Sequence, residues 1–130
     1  MRFRLVGLVL LSACAANDAS DLSGSLSLTV TQTMVAPGAM INARVTNRLR
    51  QPLTTWVELP CGSPFERLVG ADWVPIGNPT QICAIGAYQA TLAPDASWTY
   101  TWTAPDDSGT YRANVTIGTT HLTSHRIVVR

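Results

Sequence analysis

Apolar and polar residues alternate with a period of two along most of this chain. The alternation is clearest in the segments Leu26–Val30, Ile41–Val45, Trp98–Trp102 and Tyr111–Ile117. Successive side chains of a strand point to opposite faces of a sheet, so each segment predicts an antiparallel strand with one buried face. No stretch of ten residues free of proline and glycine shows the apolar stripe of a helix. The sequence therefore predicts an all-β chain.

Shorter and less regular strands are expected between these segments. They fall at Thr54–Leu59, Glu66–Leu68, Trp73–Ile76 and His121–Val129, and turn-forming proline and glycine residues separate them. The sixteen threonines fit the half-exposed surface of a pleated sheet. Seven to eight short strands with turns every 8–12 residues or so are typical of a β-sandwich.

Charged residues make up only 13% of the 130 residues, and the formal net charge is +1. This balance excludes the basic field that captures nucleic acid. All nine basic residues are arginine. The absence of lysine from the sequence excludes Schiff-base chemistry and a P-loop lysine.

The first fourteen residues carry an export signal. Arg2 and Arg4 precede the apolar run Leu5–Leu11, which is far shorter than the roughly 18 residues of a membrane span. The next residues, Leu11-Ser12-Ala13-Cys14, resemble the lipobox of bacterial lipoproteins. The resemblance implies cleavage before Cys14 and acylation of its thiol, with two or more acyl chains giving a stable membrane anchor. The alternative is an ordinary secretory leader in which Cys14 is incidental.

These features divide the chain into three parts. Residues 1–13 are expected to be the signal peptide, residues 14–25 the lipidated cysteine with a flexible tether, and residues 26–130 the sandwich domain. In the lipoprotein family an aspartate after the cysteine favours retention in the inner membrane. The residue here is Ala15, which indicates the outer membrane, facing the periplasm, of a Gram-negative bacterium. In any other bacterium this rule does not apply, and the lipid-anchored protein is expected at the cell surface.

With Cys14 taken by lipid, Cys61 and Cys83 remain in an exported domain, where disulfides persist. A bridge between them would stabilise the fold by about 3 kcal/mol in the loop-entropy model. Zinc binding is the weaker alternative, since none of the usual ligand spacings is present.

Asp107-Ser108-Gly109-Thr110-Tyr111 resembles the start of strand F in immunoglobulin domains. The resemblance implies an immunoglobulin-like antiparallel sandwich in which the Tyr111 hydroxyl bonds back to nearby backbone as a "tyrosine corner". It also implies that Trp56 is the buried core tryptophan. Ala113 stands where antibody domains have the strand F cysteine, so the Cys61–Cys83 bridge would not be the inter-sheet one.

Most of residues 26–130 is similar to small immunoglobulin-like lipoprotein domains, and more weakly to BsuPI-type proteinase inhibitors. The residues that carry the similarity are Asn47, Cys61, Glu66-Arg67 followed by Trp73, Cys83, Pro94 and Gly109–Arg112. Neither resemblance assigns a binding residue to this chain.

We identify no catalytic, metal or cofactor site in the sequence. His121 and His125 share one face of a predicted strand but would lie about 13 Å apart, too far for one metal ion. Asp106 and Asp107 fit loop solvation and a turn cap better than calcium binding.

Two aromatic features remain as binding candidates. Trp98, Tyr100 and Trp102 could stack on sugar rings, or they could belong to the sandwich core. The hairpin that carries Arg67, Asp72 and Trp73 is the stronger candidate, since tryptophan and arginine are enriched in interface hot spots. The alternative is a structural hairpin in which Trp73 simply packs on the sheet.

We therefore expect a non-enzymatic binding module, anchored to the lipid bilayer through Cys14, that contacts an envelope protein or a polysaccharide. The alternatives are a proteinase-inhibitor-like domain, a carbohydrate-binding module and, least favoured by the residues, a hydrolase.

Overall fold

The computed structural model describes residues 24–57, 62–77 and 88–130. Within these residues there are eleven β-strands and no helix, which confirms the all-β prediction. The strands are β1 (Leu26–Val30), β2 (Met34–Val35), β3 (Met40–Asn47), β4 (Leu53–Val57), β5 (Phe65–Val69), β6 (Asp72–Pro75), β7 (Tyr88–Leu92), β8 (Ser97–Thr103), β9 (Gly109–Ile117), β10 (Thr120–Thr123) and β11 (Ile127–Val129).

Several of these strands share a partner. Strands β4, β5, β10 and β11 all pair with β9. Strand β7 pairs with β4, and β6 pairs with β5. The sequence predicts seven to eight strands and the described residues contain eleven, because β2 and β7 were not predicted and residues 121–129 divide into β10 and β11.

The strands form two sheets. The smaller sheet has the order β1-β3-β8, and the larger one the order β2-β11-β9-β4-β7. In the larger sheet β10 and β5 also pair with β9, and β6 pairs with β5. Two such sheets make an all-β sandwich, and only residues 93–96 link β7 in the larger sheet to β8 in the smaller one. The pairing is antiparallel throughout, except that β2 runs parallel to β11.

The core lies between the inner faces of the two sheets. It consists of the apolar residues that the alternating sequence pattern places on those faces. In β9 the inward side chains of Tyr111, Ala113, Val115 and Ile117 are all buried. The inward residues of the other strands complete the core, namely Leu26, Leu28, Val30, Val35, Ile41, Ala43, Val45, Val57, Phe65, Leu122, Ile127 and Val129.

Three expectations need correction. Trp56 is not the core tryptophan: it is 56% exposed, because the neighbouring Val57 takes the inward position and is fully buried. Residues 121–129 do not form one strand, since β10 and β11 are separated at 124–126, and His125 lies in that break. The short β2 and the alternating strand β7 went unpredicted.

The tyrosine corner is confirmed. The Tyr111 side chain is buried, and its hydroxyl donates a hydrogen bond of 2.7 Å to the backbone carbonyl of Asp107. This bond ties the start of β9 to the loop that precedes it.

A second polar anchor lies at the opposite end of the sandwich. Asn47 ends β3 and is fully buried. Its Nδ2 atom donates to the carbonyls of Gln51 and Leu92 at 3.0 Å and of Ala93 at 3.3 Å. Its Oδ1 atom accepts a 2.9 Å bond from the Leu49 amide. One side chain therefore joins the loop after β3 to the turn after β7.

The expected signal peptide (1–13), nearly all of the tether (14–25) and the three cysteines Cys14, Cys61 and Cys83 lie outside the described residues.

Candidate functional site

The β5–β6 hairpin carries all three residues of the predicted binding surface. Val69 pairs with Asp72, so two residues form the turn. The first of them, Gly70, has a φ of +63°. A positive φ confined to the first central residue is typical of the type II′ turns that suit the twist of a hairpin. The turn holds two strands in which alternate residues face opposite sides.

Trp73 lies on the outer face of the larger sheet. The Arg112 guanidinium carbon is 4.5 Å from the centre of the Trp73 ring, and that of Arg126 is 5.9 Å away. Both distances fall within the range of a cation–π interaction. The ring is half-buried, so part of it stays accessible to a partner.

Arg112 is itself held in place from the neighbouring strand. Its Nε atom donates to the Glu66 carboxylate across the β5–β9 pair. The same carboxylate accepts a 3.2 Å hydrogen bond from the Asn114 side chain. The salt bridge and hydrogen bond fix the guanidinium over the indole, so Trp73 is positioned before any partner arrives. We call Glu66, Trp73, Arg112, Asn114 and Arg126 the tryptophan face.

Arg67 lies on the other side of the same hairpin. Its Nη2 atom donates a 2.9 Å hydrogen bond to the Ser108 carbonyl, and its guanidinium carbon is 5.8 Å from the centre of the Tyr111 ring. A Cβ atom at Gly109 would lie 3.0 Å from Arg67 Nε. A glycine at position 109 therefore makes room for this arginine beside the tyrosine corner.

Arg67 also lines an open pocket of about 340 Å³ at this end of the sandwich. The other lining residues are Ser63, Ile76, Thr103, Pro105, Asp106, Asp107 and Tyr111. The pocket places one guanidinium near two aspartates. The bond to Ser108 and the contact with Tyr111 give Arg67 a structural role at this wall.

The structure thus brings the predicted residues onto one hairpin but not onto one face. Asp72 is exposed and lies, with Arg67, on the side opposite to Trp73. A flat partner that covers Trp73 would meet Arg112 and Arg126 instead. Sequence reasoning missed both arginines as site residues, although alternation from the inward Tyr111 already places Arg112 on the outer face. The position of Arg126 depends on the break between β10 and β11.

The three aromatic residues of β8 pack against the margin of the hydrophobic core. Trp98, Tyr100 and Trp102 are partly buried and pack against the core cluster. The Trp102 ring meets Phe65 edge-on at 5.9 Å and stacks on Tyr100 at 5.5 Å. These contacts favour the core interpretation of the row over sugar stacking.

The histidines show no metal geometry. His121 Nδ1 lies 2.9 Å from the Thr116 hydroxyl, and the exposed His125 sits in the break between strands. In the part of the chain that the structure describes, no three His, Cys, Asp or Glu side chains are grouped to hold a metal ion. That part also contains no helix long and apolar enough to cross a membrane.

No protein-family model matches the chain, and no curated protein matches it either.

Proposed function

We propose that this protein is a lipid-anchored lipoprotein of the bacterial envelope and that its sandwich domain is a non-enzymatic binding module. The lipobox-like residues Leu11-Ser12-Ala13-Cys14 support the anchor, through acyl chains on Cys14. The partner we propose is an envelope protein or a polysaccharide, bound at the tryptophan face.

The observation that carries this proposal is the pre-positioned Trp73 ring. Arg112 covers part of the indole at 4.5 Å, and the Glu66 carboxylate holds Arg112 from a neighbouring strand. A rigid aromatic anchor loses little conformational entropy when it binds, so more of its contact energy becomes affinity. Tryptophan and arginine are also the residues most enriched in binding hot spots.

Arg126 supplies a charge for recognition. It is exposed, and among the residues that the structure describes it forms no ion pair. Arg112, in contrast, is neutralised by Glu66. A partner that places a carboxylate or phosphate near Arg126 and a flat surface on Trp73 would therefore match the face in both shape and charge.

The tryptophan face is also well separated from the expected anchor. The tether joins the domain at Leu26, which pairs with Asn47 at one end of β3. The hairpin lies toward the other end, where Met40 begins the strand. Seven residues at about 3.3 Å each separate the two ends by roughly 23 Å. The membrane attachment therefore leaves the hairpin clear.

Site-specific photo-crosslinking in living cells tests the proposal. A photoreactive phenylalanine analogue at Trp73 should form a discrete adduct with an envelope component. The same analogue at Trp56 is the matched control, because Trp56 is an exposed tryptophan on the same outer face. The register places it eight residues farther along β9, about 26 Å away.

Two substitutions sharpen the result. Trp73→Ala and Arg126→Ala, each in a chain without the photoreactive residue, should reduce affinity capture of the component identified by cross-linking at least about tenfold, as hot-spot losses do, while the melting temperature stays close to that of the unmodified protein. Arg67→Ala removes the arginine of the opposite face and should leave capture unchanged. Equal adducts at positions 56 and 73, or loss of capture with Arg67→Ala alone, would overturn the assignment of the face.

A further inference from the structure

The outer face of the larger sheet carries three arginines. Arg112 lies on β9, Arg126 directly precedes β11, and Arg130 directly follows it. Arg130 continues the pairing of β11 with β2, since its amide donates to the Val35 carbonyl. Its side chain lies on the outer face, where Nε donates to the sulfur of the exposed Met34 at 2.9 Å. The positive charge of this face therefore extends beyond the tryptophan face along β11.

Negative charge lies almost entirely elsewhere in the described residues. Glu66 is the one acidic side chain that they place on this face, and it is paired with Arg112. Arg126 and Arg130 are both exposed, and neither forms an ion pair within residues 24–57, 62–77 and 88–130. The other described acidic residues lie on the far side of the hairpin and in two loops, namely Asp72, Asp95, Asp106 and Asp107. The outer face of the larger sheet therefore attracts an anionic partner.

The surroundings of Trp73 fit a sugar better than a protein. The cores of protein–protein interfaces are depleted in charged residues, whereas the guanidinium groups of Arg112 and Arg126 lie 4.5 Å and 5.9 Å from the centre of the Trp73 ring. A hexose combines an apolar face of C–H groups with a rim of hydroxyls. The C–H groups suit the negative face of an indole. The hydroxyls suit the polar side chains nearby, such as Asn114, which bonds to Glu66.

Arg126 and Arg130 lie in line along the direction of β11. Four residues at about 3.3 Å each place their Cα atoms roughly 13 Å apart. Val128 lies between them on the same face and is half-buried. The Trp73 ring is within cation–π distance of Arg126, the first arginine of this line. An extended ligand that covers Trp73 therefore meets two guanidinium groups in succession.

We propose that the tryptophan face binds a linear acidic glycan. One sugar ring packs on Trp73, its anionic group pairs with Arg126, and an anionic group farther along the glycan pairs with Arg130. This inference rests on the proposed function, because it uses the same binding face. It narrows the partner to a polysaccharide that carries carboxylate or phosphate groups, both of which match the paired N–H donors of a guanidinium.

Isothermal titration calorimetry of the full chain tests this class of ligand. The protein is kept in a polyoxyethylene detergent, which contains no sugar. Hexagalacturonate is the carboxylated probe, and its methyl ester is the control that keeps the sugar rings but lacks the charges. A phosphorylated mannan oligosaccharide and its unphosphorylated form are the equivalent pair for phosphate. At least one charged probe should bind at least about tenfold more tightly than its uncharged control, and the pair with the larger difference identifies the anionic group.

Three alanine variants locate the charged probe on the face. Trp73→Ala and Arg126→Ala should each raise its dissociation constant at least about tenfold. Arg130→Ala should raise it about threefold, as expected for one exposed ion pair. Arg44→Ala is the matched control, because Arg44 is an exposed arginine on the outer face of the smaller sheet. It should leave the dissociation constant unchanged.

Replacement of Glu66 by glutamine tests the charge argument in the opposite direction. Glutamine keeps a side-chain oxygen as acceptor for Arg112 Nε but removes the negative charge that neutralises this arginine. Glu66→Gln should therefore lower the dissociation constant of the charged probe about threefold. A purely structural role of Glu66 predicts the opposite, namely weaker binding of charged and uncharged probes alike, and that result would contradict the inference.

The remaining outcomes separate this inference from the proposed function. Equal affinity for charged and uncharged probes, or equal weakening by Arg44→Ala and Arg126→Ala, would overturn the acidic glycan. Binding to vesicles of anionic phospholipid but to no glycan would overturn it too. If no glycan binds while the photoreactive residue at position 73 captures an envelope protein, the inference fails and the binding module stands. Absence of any adduct at position 73 would instead count against the proposed function itself.

Discussion

Replacement of Asn47 by alanine is the most sensitive test of the architecture described above. The side chain is fully buried and takes part in four hydrogen bonds with backbone groups on two separate loops. The bond to the Leu92 carbonyl is buried, while those to Gln51, Ala93 and Leu49 are part-buried. Asn47→Ala removes all four hydrogen bonds at once and leaves the buried Leu92 carbonyl without the Asn47 amide donor.

The loss in free energy of unfolding depends on how deeply each of these four hydrogen bonds is buried. A typical hydrogen bond contributes a net 0.5–1.5 kcal/mol or so, and a buried polar group left unsatisfied costs about 1–3 kcal/mol. Water can reach the three part-buried groups and recover some of the loss. We therefore expect Asn47→Ala to lower the free energy of unfolding by about 3–5 kcal/mol. That is a large fraction of the roughly 5–15 kcal/mol that stabilises most domains.

Urea unfolding followed by tryptophan fluorescence measures this loss, provided that the slope of the transition is unchanged. Asn42→Ala is the matched control, because Asn42 lies on the same strand with an exposed side chain. It should change stability by no more than about 0.5 kcal/mol. Asn47→Asp should cost more than Asn47→Ala, since a carboxylate oxygen would then face the carbonyls that the amide nitrogen now binds. A loss below about 1 kcal/mol for Asn47→Ala would refute the reasoning.

Three further predictions concern the corner and the cysteines. Tyr111→Phe should lower the free energy of unfolding by about 0.5–1.5 kcal/mol in the same assay, because the Asp107 carbonyl loses the donor of a part-buried hydrogen bond; an unchanged midpoint would contradict the role of the corner. Cys14→Ser should leave unprocessed precursor or soluble protein, whereas an unmodified Cys14 in an intact-mass spectrum of the native protein would rule out the anchor. Peptide mapping without reductant should find Cys61 linked to Cys83, and two alkylatable thiols in the exported protein would exclude the bridge.

Local alternation was enough to predict the fold class and most of the strands. From Ile41 to Val45 in β3 and from Tyr111 to Ile117 in β9 every second residue is apolar, and the structure buries these residues. The Tyr111 corner was predicted from the resemblance of residues 107–111 to the start of an immunoglobulin strand F, and its hydrogen bond joins residues only four apart, so a short motif is enough to specify it.

Trp56 shows where local pattern fails. The segment from Leu53 to Val57 alternates weakly, and its large aromatic residue suggested the wrong inward position. The pairing of Val57 with Ile117 decides the matter, because it turns Val57 toward the core and Trp56 toward solvent. A shift of one residue exchanges the two faces of a strand, so the parity of a short strand depends on its partner.

The residues of the hairpin could be assigned from the sequence. The residues that make up the tryptophan face could not. The sequence by itself determined that Arg67, Asp72 and Trp73 lie close together along the chain. Only the pairing of β5 with β9 brought Arg112 beside Glu66 and onto the Trp73 ring, across 46 residues of sequence. Tertiary structure decides such contacts because strand pairing is non-local, and no periodicity within one segment records which distant strand will lie against it.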